Sequence, residues 1–121
     1  VGDCAVHWGP LHRGRIFLRD DSAMNLSPEM YREFILPYNQ RCFDELGGGA
    51  IHACGKVDHW IPVAAELKGF TAFNMSQPTL NDMETIYAST VDRGIVLLGL
   101  DRKAAEEALA RGRDLRRRVH C

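Results

Sequence analysis

At 121 residues, 45% hydrophobic and 26% charged, the chain has the size and composition of one ordinary folded domain. A formal net charge of -1 excludes a global field that would draw it to nucleic acid or anionic lipid. No apolar stretch approaches the roughly 20 residues that cross a bilayer, so no membrane partner is expected. Cys4, Cys42, Cys54 and Cys121 are too sparse for a disulfide scaffold. Reduced thiols and a cytoplasmic setting follow as the expectation, leaving thiols available to bind metal. The chain begins at Val1, so the lack of a visible leader carries no weight.

Residues 1–14 hold Gly-containing turns without a clear period and read as a lead-in. The apolar run at 15–19 ends in Asp20 and Asp21 and reads as a strand. Ser27-Pro28-Glu29 announces a helix: a cap, a first-turn proline and an acid at the positive end of the dipole. Met30, Phe34, Tyr38, Cys42 and Leu46 form a stripe at spacings of four and predict the buried face. Pro37 should kink this helix, and Gly47 to Gly49 should end it. A strand at 50–54 follows. Asp58 is placed to cap a helix reaching residue 67, and 70–75 is the next strand. Thr79 is placed to cap a helix over 80–91. A strand at 95–100 and a helix capped by Asp101 come next. Residues 118–121 fit the start of one more strand. The basic run 111–118 predicts a solvated helix end, with a phosphate or partner contact as the alternative.

Strands that alternate with helices in this way predict parallel βα units in an α/β fold. A complete (β/α)8 barrel takes about 250 residues. Residues 15–121 would therefore supply the C-terminal half of a TIM-type barrel: four βα units and the start of a final strand. A half barrel leaves strand edges unpaired, so a homo-oligomer or a fragment of a longer chain is expected. An open, doubly wound sheet of four or five strands is the alternative.

His52 and Cys54 alternate along a strand and share a face. Gly55 places them at the strand's C-terminal end, where such barrels gather their active sites. Imidazole and thiolate are both zinc ligands, but zinc takes about four, and a bare H-x-C also fits a buried strand pair. Cys121, at the end of the final strand, is the candidate third ligand, with an ordinary terminal thiol as its other reading. Three protein ligands and one open position are the pattern of a catalytic zinc. His120 would face the opposite side. Asp20 and Asp21, at the same rim, are candidates to orient a ligand histidine, bind substrate or move a proton; capping the turn is the alternative. Asn74, Ser76 and Gln77 are uncharged rim groups suited to substrate binding or to turn chemistry. His59 and Trp60 read as packing or surface groups and Cys42 as core. Cys4, His7 and His12 lie close together but match no metal-binding spacing. P-loop, GxSxG and GxGxxG motifs are absent from the sequence.

The runs Asp20-Asp21-Ser22, Leu26 through Phe34, Pro37-Tyr38 and His52-Ala53-Cys54-Gly55 together resemble the uroporphyrinogen-decarboxylase superfamily. The resemblance continues, less specifically, through Phe73-Asn74 and Gly99-Leu100-Asp101. The H-x-C-G strand resembles the branch of methyltransferases that move a methyl group between a corrinoid (cobalamin) and a thiol. In that branch the His, the Cys and a later Cys bind zinc, which activates the acceptor thiol. Carried across, the resemblance implies His52 and Cys54 as ligands, Cys121 as the match for the later Cys, and Asp20 and Asp21 at substrate-facing rim positions. It also implies a small-molecule thiol substrate and a corrinoid protein as partner. The decarboxylases themselves use no metal, and their key aspartate lies in the N-terminal half of the barrel, which this sequence lacks. Zinc-dependent methyl transfer is therefore the leading expectation, with a non-catalytic barrel fragment next and a porphyrinogen-type decarboxylation last.

Overall fold

In a computed structural model, residues 2–7 and 9–121 are described. Four strands form one parallel sheet: β3 (Ile16–Arg19), β4 (Gly49–Ala53), β5 (Phe70–Met75) and β6 (Val96–Leu97), ordered as in the chain. β6 is shorter than the run at 95–100 predicts. The expected final strand contributes one parallel bridge, Leu97 to Val119, with His120 N–H donating to Leu97 at 2.8 Å.

Side chains alternate across this sheet. Ile51, Ala53, Phe73, Met75 and Leu97 point into the main core, where they meet Tyr31, Phe43, Trp60, Ile61, Ile86 and Ala105 from the helices. Phe17, Ala50, Ala72, Val96 and Leu98 form a second, small cluster on the opposite face, with no helix residue in it. Among the described residues the strand order does not reverse and the helices pack on one face, unlike a doubly wound sheet.

The lead-in is not irregular. It forms an antiparallel hairpin of β1 (Cys4–Val6) and β2 (Leu11–Arg13). Two strands of three residues each are too short to show an apolar period, yet buried His12 packs edge-on to Phe17, ring centres 5.2 Å apart. Gly14, at φ 95°, lets the hairpin pass over β4: a Cβ there would lie 2.3 Å from the Gly48 carbonyl.

The first helix splits as Pro37 requires. α1 (Pro28–Phe34) is capped by Ser27, whose Oγ accepts from Met30 N–H at 3.1 Å. α2 (Leu36–Leu46) restarts after Ile35 with Pro37 in its first turn. The predicted buried stripe is a correction: Met30, Phe34, Tyr38 and Leu46 are exposed, and Cys42 is half-buried. The buried line runs one residue later, through Tyr31, Asn39 and Phe43. Polar bonding selects this phase. Asp20 accepts from the Tyr31 hydroxyl at 2.8 Å and from Asn39 Nδ2 at 2.9 Å. Tyr31 also stacks on fully buried Trp60, ring centres 4.6 Å apart.

Three further helices complete the layer. α3 (Ile61–Ala64) is shorter than expected and starts after Trp60; Asp58 instead accepts from Asp82 N–H at 2.7 Å. α4 (Met83–Ser89) starts after Asp82, because Thr79 lies inside a separate 3₁₀ turn, Pro78–Leu80. α5 (Arg102–Ala110) begins as predicted, with Asp101 accepting from Ala104 N–H at 3.3 Å. The basic run after it is not simply solvated. Arg113 binds Glu84 and Asp92, and Arg116 binds Asp92 at 2.8 Å. These bonds hold the Asp92 carboxyl down at about 2. Among the described residues no helix is long and apolar enough to cross a membrane.

Two outcomes follow from this core. Trp60→Ala removes the largest fully buried side chain and should cost about 3–5 kcal/mol in urea unfolding; a loss under about 1 kcal/mol would contradict the packing described. The Asp20 carboxyl is raised above its ordinary 3.8, by burial first, against the lowering bonds from Tyr31 and Asn39. The folded chain therefore holds this proton more tightly than the unfolded chain. That contribution is full below the unfolded value and is lost as pH rises through the folded one. The stability margin of the wild type over Asp20→Asn should accordingly be larger at pH 4 than at pH 7. Equal margins at both would rule out the raised carboxyl.

Candidate metal centre

The C-terminal ends of the strands carry the polar groups of the helix-free face. β4 presents His52 there, and Cys54 follows directly. Gly55, at φ 79°, turns the chain where a Cβ would lie 2.5 Å from Met24 Sδ. Asp20 N–H continues the strand pairing by donating to the His52 carbonyl at 2.8 Å. Asp21 then opens a 3₁₀ turn, Asp21–Asn25. Its Oδ1 accepts from Cys54 N–H at 3.0 Å.

Three side chains converge. His52 Nε2 lies 3.2 Å from Cys54 Sγ and 3.2 Å from Asp21 Oδ1. Asp21, His52 and Cys54 each offer one ligand atom, all within 4.8 Å of one another. They are the one group of three such donors found among the described residues. Behind the ring, His52 Nδ1 lies 2.6 Å from Asn74 Oδ1, and Asn74 Nδ2 donates to the Leu98 carbonyl at 2.6 Å. Ser76 Oγ donates to Cys54 Sγ at 3.0 Å. A cleft of about 460 Å³ opens beside Cys54, walled by Met24, Asn25, Gln77 and Leu80. A cleft of about 520 Å³ between α4 and α5 shares none of its lining residues.

The structure separates residues that looked equivalent in sequence. Asp20 does not face the rim. It is buried against Tyr31 and Asn39, and burial also pushes the Tyr31 hydroxyl up, followed by the charge of Asp20. Asp21 alone of the pair joins His52 and Cys54. Cys121 is exposed and lies outside the donor group. Asn74 has both ends of its amide engaged by the protein. Gln77 serves the turn, its Oε1 accepting from Gly55 N–H at 2.5 Å. His7 Nδ1 and His12 Nε2 lie 3.0 Å apart, while Cys4 turns to Asp3.

Asn81 escaped sequence reasoning. Its Oδ1 accepts from Val57 and Asp58 N–H, at 2.7 and 3.0 Å. Its Nδ2 donates to the Gly55 and Gln77 carbonyls, at 3.0 and 2.9 Å. Three of these four bonds tie the loop after β4 to the loop after β5 and brace the turn that carries Cys54. An asparagine in a polar loop gives no period that would reveal this.

The family model for uroporphyrinogen decarboxylase (URO-D) matches residues 15–100. Neither a curated protein nor a solved structure matches the chain. The matched span runs from the start of β3 to just beyond β6 and holds Asp21, His52, Cys54 and Asn74, well over half of the sequence. The chain belongs to the uroporphyrinogen decarboxylase family.

Proposed function

We propose that Asp21, His52 and Cys54 hold a zinc ion at the strand rim, and that the domain serves methyl transfer between a corrinoid and a small thiol. The convergence of carboxylate, imidazole and thiol within 4.8 Å carries this reading. A mixed O, N, S set suits zinc, and three protein ligands leave a position for a fourth. The H-x-C-G resemblance supplies the reaction class. The same reading takes the one-sided parallel sheet as an arc of a (β/α)8 barrel, with a corrinoid protein as methyl donor.

Bound zinc would supply Lewis acidity that keeps an acceptor thiol as its nucleophilic thiolate. The chain's own residues prepare the place. Cys54 N–H fixes the Asp21 carboxylate, so that Oδ1 faces the ring. The Ser76 hydroxyl bonds the Cys54 sulfur and holds its rotamer. The Asn81 clasp keeps Gly55 in its turn, and the adjoining cleft gives a small thiol access past the apolar walls of Met24 and Leu80. Cys121, which the family resemblance nominates, is not required.

Elemental mass spectrometry of purified, reduced protein should find about one zinc per chain. His52→Ala and Cys54→Ser should each lose it, while Cys121→Ser keeps it. Zinc-loaded wild type should then accelerate transfer of a methyl group from methylcobalamin to a small thiol. Stoichiometric zinc surviving in Cys54→Ser, or no zinc in the wild type after reconstitution, would sink the reading.

A further inference from the structure

We infer that Asn74 is a positioning residue that fixes the tautomer of His52 and aims its Nε2 at Asp21 and Cys54. Its consequence for metal binding rests on the zinc reading above; the tautomer itself does not.

The direction of the amide is settled on the far side from the ring. The Leu98 carbonyl can only accept, so the Asn74 atom 2.6 Å from it must be the NH₂ group. Leu98 is itself fixed in the sheet, its N–H donating to the Phe73 carbonyl at 2.8 Å. Asn74 Oδ1 is therefore the atom that meets His52 Nδ1 at 2.6 Å. That oxygen can only accept, so Nδ1 carries the hydrogen. In the neutral ring Nε2 then keeps its lone pair, and it is the atom nearest Cys54 and Asp21.

The opposite tautomer would force two conflicts. With hydrogen on Nε2, Asn74 would have to turn its NH₂ toward Nδ1 and its oxygen toward the Leu98 oxygen. The absence of a side chain at Gly99 leaves the amide its place, since a Cβ there would lie 3.0 Å from Asn74 Nδ2. Leu98, Asn74 and His52 thus form a relay of fixed orientation across three neighbouring strands. Both polar atoms of Asn74 are engaged in it, so its part is to hold the histidine.

The test reads the tautomer and the metal separately. In metal-free wild type at a pH where the ring is neutral, ¹⁵N spectra of selectively labelled histidine should show His52 with its hydrogen on Nδ1. In Asn74→Leu that signature should give way to a mixture. Zinc affinity, from competition with a chromophoric chelator, should fall about 10–100-fold in the same variant. Asn74→Asp keeps an acceptor for Nδ1 but sets a second oxygen against the Leu98 carbonyl, so it should keep the Nδ1–H tautomer at lower stability; a purely structural role for the amide would not predict that split. Hydrogen on Nε2 in the wild type, or an unchanged spectrum in a folded Asn74→Leu, would overturn the inference whatever the zinc does. If Asn74→Leu does not fold, the wild-type and Asn74→Asp spectra decide. The expected tautomer with no zinc bound would retain Asn74's role and remove the zinc reading instead.

Discussion

The register of β4 against β5 is the constraint on which the rim depends. It sets His52 beside Asn74 and Ala53 beside Met75, so the polar pair shares one face and the apolar pair the other. A slip of one residue would exchange the faces, pressing His52 into the helix layer and turning Ile51 away from it. The phase is set at the other end of the strands, where the pairing shifts between Gly49 and Ala50. Thr71 is the residue passed over there. Its hydroxyl donates to the Arg13 carbonyl and lies 3.1 Å from the Gly49 carbonyl, tying the irregular step to the hairpin. Gly49 has no alternative at that step, since a Cβ would overlap the Ile16 carbonyl. A feature four residues below the rim thus decides which way the histidine points.

The two aspartates after β3 show how the same sheet serves two environments. The strand ends at Asp20, and its backbone leaves the extended region at φ -110° and ψ 34°. This turn sends Asp20 into the helix layer and Asp21 to the rim. Asp20 bonds Tyr31 and Asn39, and so chooses the buried face of α1 and α2 against the greasier stripe beside it. Burial of a carboxyl is costly unless donors satisfy it, and two side-chain donors are supplied. Asp21 needs no such enclosure. Its side chain is 45% exposed, and it is held by one backbone N–H. The position of Asp21 therefore follows from how the hidden carboxyl beside it is anchored.

Much of this was legible because it depends on local pattern. The alternation at 50–54 and 70–75 placed two strands, Ser27 and Asp101 announced their helices, and the spacing of His52 and Cys54 put both on one face. What the pattern could not show was set by distant partners. Stripes beginning at Met30 and at Tyr31 have the same period, and hydropathy favours the first, but Asp20 and Trp60 bind the second. Thr79 is the cap read from sequence, but it lies inside a 3₁₀ turn, and the bond from Asp82 N–H to Asp58 fixes where the chain turns into α4. Asp20 and Asp21 are indistinguishable until the backbone turn is known. Asn81 closes two loops that lie more than twenty residues apart, so no window of sequence contains its partners.

Polarity changes along the helix-free face, and that gradient is what makes one end chemically useful. At the N-terminal end the hairpin lays His12 and His7 against Phe17. In the middle, Ala50, Ala72 and Leu98 form an apolar floor. Beyond it, β3, β4 and β5 or their following loops each supply one or two polar groups: Asp21, His52, Cys54, Asn74 and Ser76. An apolar floor weakens the competition of water for these groups from below, while the exposed side of Asp21 and the cleft at Cys54 leave access from above. One edge of the His52 ring is bonded to Asn74, and the other lies beside Asp21 and Cys54. Its orientation then depends on the hydrogen-bond relay to Leu98, and a group held in that way keeps its aim only while every member of the relay is in place. The donor cluster is therefore a property of three adjacent strands acting together, and the H-x-C pair on β4 supplies only its centre.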